Sequence, residues 1–384
     1  MHFTLSEEHQ MIEKAAKDFA VNECLPGVID RDEHQRFPKE QIMQLADLGF
    51  MGMMVSPDYG GSGMDTVSYV LAMDQISRVD ASVSVCMSVN NSLVCYGLES
   101  YGTESQKQQY LTPLAQGKKD GELYIGAFLL SEPEAGSDAT SQRTNAEDMG
   151  DYYLLNGTKN WITNGSSASV YLVIAQTDVS KGSKGINCLI VEKNWPGVTV
   201  AAKENKLGIR GSDTHTIMFT DVKVPKENRI GEDGFGFKFA MKTLAGGRIG
   251  IASQALGIAT GAYELALKYA KTRKAFGKEI AQHQAIQFKL ADMATKIEAA
   301  RLLCLKAAWE KDNGLDYTLS SSMAKVFASE TAMWVTTEAV QIHGGYGFVK
   351  EYHVERMMRD AKITQIYEGT SEVQRIVISR SVLS

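Results

Sequence analysis

The segment Ile251-Ala-Ser-Gln-Ala-Leu-Gly-Ile-Ala-Thr-Gly-Ala-Tyr-Glu-Leu-Ala-Leu-Lys-Tyr269 decides the fold class of the second half of this chain. Its apolar side chains recur every three or four positions, and residues 286–307 repeat that spacing. Such a period places apolar side chains on one face of an α-helix. The last of seven prolines is Pro225, so no proline interrupts the chain beyond it. We therefore predict long helices packed as a C-terminal bundle, the second ending at Asp312-Asn313-Gly314.

The middle of the chain has the pattern of β-strands instead. Three runs rich in β-branched and other apolar residues, at 170–175, 186–191 and 214–219, indicate buried strands. Asn156-Gly157 lies between two further runs, and this dipeptide is typical of a tight hairpin turn. We expect a small β domain at residues 122–230.

The first part of the chain has the signals with which helices begin. A capping box places Ser or Thr three residues before Glu or Gln, and this pattern occurs at Thr4-x-x-Glu7 and Thr103-x-x-Gln106. A further helix is expected to open at Pro38. The predicted organisation is an N-terminal helical domain (1–121), a middle β domain (122–230) and a C-terminal helical bundle (231–384).

Composition excludes several classes of protein. Apolar residues make up 44% of the 384 residues, charged residues 22%, and no apolar run approaches the ~18 residues that span a membrane. A net charge of -6 argues against nucleic-acid binding, which needs a basic surface. The five scattered cysteines fit reduced thiols, and the first residues lack a secretory signal. We expect a cytoplasmic protein, or a mitochondrial matrix protein from which a presequence has been removed.

The common cofactor and metal motifs are absent from the sequence. It has no Gly-x-Gly-x-x-Gly after a strand, no Walker lysine loop, no His-Glu-x-x-His and no clustered metal ligands. A dinucleotide-binding Rossmann enzyme is therefore disfavoured, and no metal site is predicted.

Five segments nevertheless contain side chains suited to binding or chemistry. Taken singly, each segment has an explanation that involves no function. In chain order these are a surface turn, strand packing, a solvated arginine, a helix cap and a solvated glutamate. The segments are residues 128–138, 161–165, 273–277 with 283–284, 341–345 and 366–370.

Taken together, the five segments resemble the acyl-CoA dehydrogenase family in their order and approximate spacing. The two signature regions of that family are recognisable as Ser131-Glu-Pro-Glu-Ala-Gly-Ser-Asp138 and Arg359-Asp-Ala-Lys-Ile-Thr-Gln-Ile-Tyr-Glu-Gly-Thr370. The resemblance runs from Phe3 to the C-terminus. It implies a mainly α fold with an N-terminal helical domain, a middle β-barrel-like domain and a C-terminal four-helix bundle.

The resemblance also implies FAD as the cofactor, bound between the β domain and the bundle of a homotetramer built as a dimer of dimers. It implies that Leu130, Ser131, Trp161 and Thr163 surround the flavin ring. Further implied cofactor contacts are Phe128, Gly136 and Ser137. It implies that the adenine half is bound across a subunit interface by Arg273, Phe276, Gln284, Gln341, Gly344 and Gly345. Thr370 and Glu372 approach the cofactor from the first chain.

In such enzymes a carboxylate removes the α-proton of an acyl thioester while the β-hydride passes to N5 of the flavin. Glu368 matches this base. Relatives that act on isovaleryl and long-chain thioesters place their base immediately before the equivalent of Arg248, where this chain has Gly247. The implied substrate contacts are Ser137, Arg248, Tyr367 and Gly369. The segment Met87-Ser-Val-Asn-Asn-Ser-Leu93 resembles the short-chain branch, which predicts acyl groups such as butyryl.

Three residues depart from the family pattern. Leu129 replaces a small residue, Ser131 replaces a common Thr, and Ala245 replaces an Asp that short-chain relatives use against the pantetheine amide. The implied electron acceptor is an electron-transferring flavoprotein. Alternatives are an oxidase or a decarboxylating glutaryl-CoA-type member of the family, and a non-enzymatic DNA-associated flavoprotein relative, which the acidic composition disfavours.

Overall fold

The computed structural model describes residues 4–384, and its N-terminal part is a layer of short helices. The third of them begins at Lys39, directly after Pro38. These helices are α1 Glu7–Phe19, α2 Val28–Glu33, α3 Lys39–Asp47, α4 Thr66–Ser77, α5 Ala81–Ser88, α6 Tyr96–Tyr101, α7 Glu104–Gln106 and α8 Thr112–Gln116. Three further segments are wound as π-helix, namely Ala20–Cys24, Val89–Cys95 and Lys107–Leu111.

A central sheet of eight strands follows. Its strand order is β10-β7-β6-β4-β5-β9-β8, and β3 pairs in parallel with β6. Every residue of β6 is buried, because the sheet is covered on both faces there. The strands of this region, with the small β1-β2 hairpin before the sheet, are β1 Lys118–Lys119, β2 Glu122–Leu123, β3 Gly126–Leu129, β4 Asn145–Asp148, β5 Tyr152–Thr163, β6 Val170–Gln176, β7 Ile186–Glu192, β8 Val198–Lys203, β9 Thr214–Pro225 and β10 Arg229–Ile230.

The C-terminal part is the predicted bundle of long helices. Helix α9, with 37 residues, is its axis and packs against α10 and α11 of the bundle and against α4 of the N-terminal layer. The elements are α9 Gly236–Thr272, β11 Lys274–Ala275, β12 Lys278–Glu279, α10 Gln284–Asp312, α11 Thr318–His343, α12 His353–Ile363 and α13 Ser371–Leu383. The expected mainly α architecture around a central β domain is therefore confirmed, while the domain boundaries 1–121, 122–230 and 231–384 stay a prediction.

Several local expectations are confirmed. Helix α10 ends at Asp312, and Gly314 two residues later has a left-handed φ of +67°. The capping box at Thr103 and Gln106 is formed in both directions. All five cysteines are buried and free. Among the described residues, no helix is both long and apolar enough to cross a membrane.

Two predicted features are wrong. Asn156-Gly157 forms no hairpin turn, because β5 runs straight through it with a bulge opposite β9. The Asn156 side chain accepts a hydrogen bond from Asp221 N, and Gly157, at φ +143°, packs against Thr144. The first helix does not use a capping box at Thr4, since Ser6 is its N-cap and accepts a hydrogen bond from His9 N.

Glycines bring α9 into close contact with α4. A Cβ atom at Gly257 would lie 2.3 Å from the carbonyl oxygen of Asp74, and one at Gly261 would lie 2.3 Å from that of Arg78. Both obstacles are backbone atoms, which cannot move without displacing α4 or its C-cap. The absence of side chains at these two positions therefore sets the distance between the two layers.

We predict that Gly257→Ala lowers the free energy of unfolding by about 1–3 kcal/mol, because the added methyl group overpacks the α4 contact. The matched control is Gly246→Ala in the same helix, where the nearest atom to an added Cβ is 3.9 Å away. That control should gain up to about 1 kcal/mol from the higher helix propensity of Ala. Thermal melting of the two variants measures both effects, and equal changes would contradict the packing argument.

Candidate active site

Glu368 lies in the loop between α12 and α13, with its backbone held in a conformation that side chains rarely adopt. Its φ is +52°, and that of Gly369 is +92°. Lys325 of α11 donates a hydrogen bond of 2.6 Å to the Gly369 carbonyl, and Gln374 donates one of 2.9 Å to the same oxygen. Thr370 caps α13 through its hydroxyl, which accepts from Val373 N. The surrounding structure thus supports a strained loop that presents the Glu368 side chain inward.

The Glu368 carboxylate lies against the backbone of α9 at Gly247. A Cβ atom on Gly247 would be 2.1 Å from Oε2 of Glu368 and 2.8 Å from Cδ2 of Leu93. The carboxylate and the Leu93 side chain therefore occupy the space that a side chain at position 247 would need. Oε2 is completely covered and, within residues 4–384, has no hydrogen-bond partner.

Burial raises the pKa of Glu368 to about 7, while the positive charges of Lys325 and Arg248 oppose the increase. Burial also lowers the pKa of Lys325 to about 8, although Glu368 acts in the other direction. A carboxyl group with a pKa near neutrality can accept a proton and release it again at physiological pH. Strong perturbation by desolvation together with named charge partners is typical of functional sites.

Two further predicted residues lie on or contact the same part of α9. Arg248 is 7% exposed and donates a hydrogen bond of 3.3 Å to Ser322 on α11, while its buried Nε has no partner among the described residues. Tyr367 donates a hydrogen bond to the side chain of Gln254, two turns further along α9. Glu368, Tyr367, Gly369 and Arg248 are therefore brought together around one helix.

The segment after β3 is supported by a buried lysine. Lys159 of β5 is fully buried and donates hydrogen bonds to Leu130 O at 2.9 Å, to Glu132 Oε1 at 2.7 Å and to Gln142 Oε1 at 3.0 Å. The Ser131 carbonyl accepts a hydrogen bond of 2.9 Å from Asn160 N. Leu130 and Ser131 are therefore held by charge and backbone contacts rather than by a regular strand.

Trp161 stands out on β5 because it is 56% exposed despite its size. It has a left-handed φ of +59° and lies in a second bulge opposite β9. Ile162 is buried, whereas Thr163 on its other side is only partly covered. An indole ring and a hydroxyl thus remain accessible on either side of a buried residue.

The predicted adenine-binding residues fall into two groups. Arg273, Gly344 and Gly345 line a cavity of about 510 Å³ at the end of α11, together with aromatic and aliphatic side chains of Tyr269, Ile280, Ile342, His343, Tyr346 and Val349. Added Cβ atoms at both glycines would meet nothing within 4 Å. The guanidinium of Arg273 lies over the Tyr346 ring, 5.6 Å from its centroid.

The other predicted residues are not drawn into this cavity in the single chain. Phe276, at the tip of the β11-β12 hairpin, is 95% exposed. Exposed positions are also occupied by Gln284, Gln341, Glu372, Gly136 and Ser137. Phe128 stacks on Phe239 of α9, with ring centroids 6.4 Å apart.

Lys325 and Lys159 were not predicted as residues of the site, although their neighbours in the sequence are informative. Lys325 stands in a run of small residues, Ser320–Ser322, Ala324 and Ala328, whose sizes indicate a tightly packed helix face. Lys159 is on β5, two residues before Trp161, at a position where a lysine would ordinarily be expected to face solvent. Both ammonium groups are buried against loops that present site residues.

Comparison with known proteins extends over the whole chain. Family models for acyl-CoA dehydrogenase match at residues 6–118 (N-terminal domain), 127–222 (middle domain) and 234–383 (C-terminal domain). The mitochondrial short-chain specific acyl-CoA dehydrogenase of Mus musculus is 49% identical over 99% of this chain and 91% of its own length.

Two solved structures are equally similar. Butyryl-CoA dehydrogenase from Megasphaera elsdenii matches with a TM-score of 0.97, 49% identity and full coverage of both chains. The same values hold for a chain solved in work on the electron transferring flavoprotein of Acidaminococcus fermentans and flavin-based electron bifurcation. Since identity well above 30% extends over the whole length, this chain belongs to the acyl-CoA dehydrogenase family.

Proposed function

We propose that this protein is an FAD-dependent dehydrogenase that converts short-chain acyl-CoA thioesters to trans-2-enoyl-CoA, with Glu368 removing the α-proton. The observation that carries the proposal is the carboxyl group of Glu368, whose covered Oε2 lies on Gly247 with no hydrogen-bond partner among residues 4–384, and whose pKa is about 7. Because desolvation disfavours the charged form of this carboxylate, it gains by accepting a proton from a substrate. The short-chain specific and butyryl-CoA relatives support the choice of substrate.

The residues present fit a flavin dinucleotide. The exposed indole of Trp161 offers a flat surface for a ring system, and the hydroxyl of Thr163 beside it can bond a polar ring edge. The open cavity at Gly344 and Gly345 lets a phosphate or sugar approach the backbone, and Arg273 at its side supplies a cation. When bound, the flavin supplies the acceptor for the β-hydride.

The protein's own groups perform the proton step. The Glu368 carboxylate accepts the α-proton. An apolar acyl chain that covers the carboxylate excludes water, and this desolvation keeps the pKa of Glu368 high. The Glu368 backbone N–H has no acceptor within residues 4–384, so it is free to donate to the thioester oxygen as negative charge develops there. Arg248, buried beside the base, supplies a positive charge to the coenzyme A end, where Ser137 is a further proposed contact.

The wider assignment follows the family. We propose a homotetramer in which the exposed Phe276 and Gln284 complete the cofactor site of a neighbouring subunit, and an electron-transferring flavoprotein as the electron acceptor. The free, buried cysteines support a reducing compartment, either the cytoplasm or the mitochondrial matrix.

We predict that Glu368→Gln keeps its bound yellow flavin and still binds butyryl-CoA, but loses flavin reduction by roughly 10²–10⁴-fold, because only the proton acceptor is removed. Anaerobic loss of the oxidised-flavin absorbance measures the rate. Undiminished bleaching by butyryl-CoA would refute the assignment of the base.

A second prediction concerns the contact between Glu368 and position 247. Gly247→Ala should slow flavin reduction roughly 100-fold, because its methyl group displaces the carboxylate from the reacting carbon. In the double variant Gly247→Glu with Glu368→Gly, flavin reduction should be faster than in Glu368→Gly alone. The glutamate at position 247 places a carboxylate in the space that the Glu368 carboxylate occupies, but attaches it to α9. If the pair is no faster than the single variant, the two positions do not serve one site.

The third prediction concerns pH. Flavin reduction requires the ionised Glu368, so its rate should rise with pH through about 7. Lys325 lowers the pKa of Glu368, and Lys325→Met should therefore move this rise to higher pH. The control is Lys306→Met on the exposed face of α10, which should leave the profile in place. An unshifted profile in Lys325→Met would show that the charge of Lys325 does not act on the base.

A further inference from the structure

The loop between β8 and β9 connects the β domain to α12, the helix that leads into the Glu368 loop. A Cβ atom at Gly208 of this loop would lie 2.2 Å from the carbonyl oxygen of Arg359 and 2.7 Å from the amide nitrogen of Asp360. The carbonyl of Leu207 accepts a hydrogen bond of 3.2 Å from the Arg359 side chain. The loop therefore lies directly on the backbone of α12, and no side chain would fit between them at position 208.

Ile209, the next residue of the loop, is buried in the core of the bundle. It belongs to the same apolar cluster as Met357 and Ala361 of α12. Its N–H donates a hydrogen bond of 2.5 Å to Asp360 Oδ1. Its φ is +42°, a conformation that a β-branched residue adopts only where surrounding contacts hold it. The strained backbone at Ile209 is thus maintained by contacts with α12.

Charged contacts hold the same part of α12 against the N-terminal layer. Asp360 is buried and accepts a hydrogen bond of 2.8 Å from Arg356, one turn earlier in the helix. Arg356 donates a further hydrogen bond of 2.7 Å to Val79 O, between α4 and α5, and Arg359 donates one of 2.7 Å to Asp32 of α2. Because a buried charge without its partner is costly, these contacts give α12 one fixed position between the loop and the N-terminal layer.

The loop also joins the two sides of the proposed reaction centre by a short path. In one direction it runs into β9, whose first residue, Thr214, is paired with Thr163 at the end of β5. In the other direction it contacts α12, which runs into the Glu368 loop. A residue proposed to hold the flavin and the residue proposed to remove the proton are therefore linked through Gly208 and Ile209.

We propose that Gly208 and Ile209 form a positioning clamp, which fixes the β domain on α12 and so sets the distance between the Glu368 carboxylate and the flavin. The proposal rests on the proposed function. Both residues act through α12 and not by contact with the substrate. Displacing a catalytic group by about 1 Å can slow a reaction roughly 100-fold, so the clamp affects the rate of proton removal more than the binding of substrate.

The test compares Gly208→Ala with Gly185→Ala in the whole flavin-loaded enzyme. Neither glycine has a left-handed backbone, and a Cβ atom at Gly185 would lie 1.9 Å from the carbonyl oxygen of Asp178, within the connection between β6 and β7. Anaerobic stopped-flow reduction by butyryl-CoA gives the limiting rate per bound flavin and the half-saturating concentration. We expect Gly208→Ala to lower the limiting rate roughly 10–100-fold and to leave the half-saturating concentration within about 3-fold of the wild-type value, because the base is displaced. Gly185→Ala should melt at a lower temperature and keep the limiting rate.

A second pair of variants decides the question if the first variant does not fold. Asp360→Asn keeps one oxygen acceptor and removes the charge that pairs with Arg356. Its control is Asp74→Asn in α4, where an equally buried carboxylate pairs with Arg78 one turn away. We expect the limiting rate to fall at least about 5-fold in Asp360→Asn and to be unchanged in the control.

A limiting rate that falls equally in a variant and its control, or in neither, overturns the proposal, because a loss of stability alone does not move the base. Failure of the proposed function has a different result, namely wild-type enzyme whose flavin no acyl-CoA reduces. In that case the clamp is tested by amide hydrogen exchange across residues 364–370. Faster exchange there in Gly208→Ala than in Gly185→Ala supports the clamp, and equal exchange overturns it.

Discussion

The contact of the Glu368 carboxylate with the backbone of α9 at Gly247 is the constraint on which the rest of the site depends. It requires a residue without a side chain at position 247 and a loop with left-handed backbone at 368 and 369. It also requires a buried cation, Lys325, which donates a hydrogen bond to the Gly369 carbonyl of that loop. Each requirement is met from a different element of the bundle. Desolvation raises the pKa of this carboxyl group to about 7, and the positive charges of Lys325 and Arg248 oppose a further increase.

The same helix connects the surroundings of Glu368 to the β domain. Phe239, near the start of α9, stacks on Phe128 of β3, and the chain after β3 is held by the buried Lys159. A charged group with no exposed surface is costly unless its partners are well placed, and Lys159 has three oxygen acceptors within 3.0 Å. The bundle and the sheet are thus joined by an aromatic contact, and the segment carrying Leu130 and Ser131 is held rigid beside it.

How far the sequence predicts this arrangement depends on the range of the interactions. Periodicity and proline placement predicted the long helices and the buried strands, because those features depend on which faces are apolar. The turn expected at Asn156-Gly157 was wrong, because Thr144 and Asp221, both distant in sequence, convert that dipeptide into a bulge. Lys325 and Lys159 were missed for a related reason: nothing near them in the chain indicates which carbonyl oxygens they reach after folding. Glu368 was named through resemblance, and its ordinary explanation, a solvated helix end, does not hold because its Oε2 is covered.

The constraint at Gly247 is repeated one turn further along α9, at Gly250. A side chain at position 247 would displace the Glu368 carboxylate, and one at position 250 would collide with Tyr69 and Ser88. Glycine at both positions lets two side chains from other elements, a carboxylate and a phenol, contact the same helix one turn apart. The separation between them is set by helix geometry, which is more rigid than any loop.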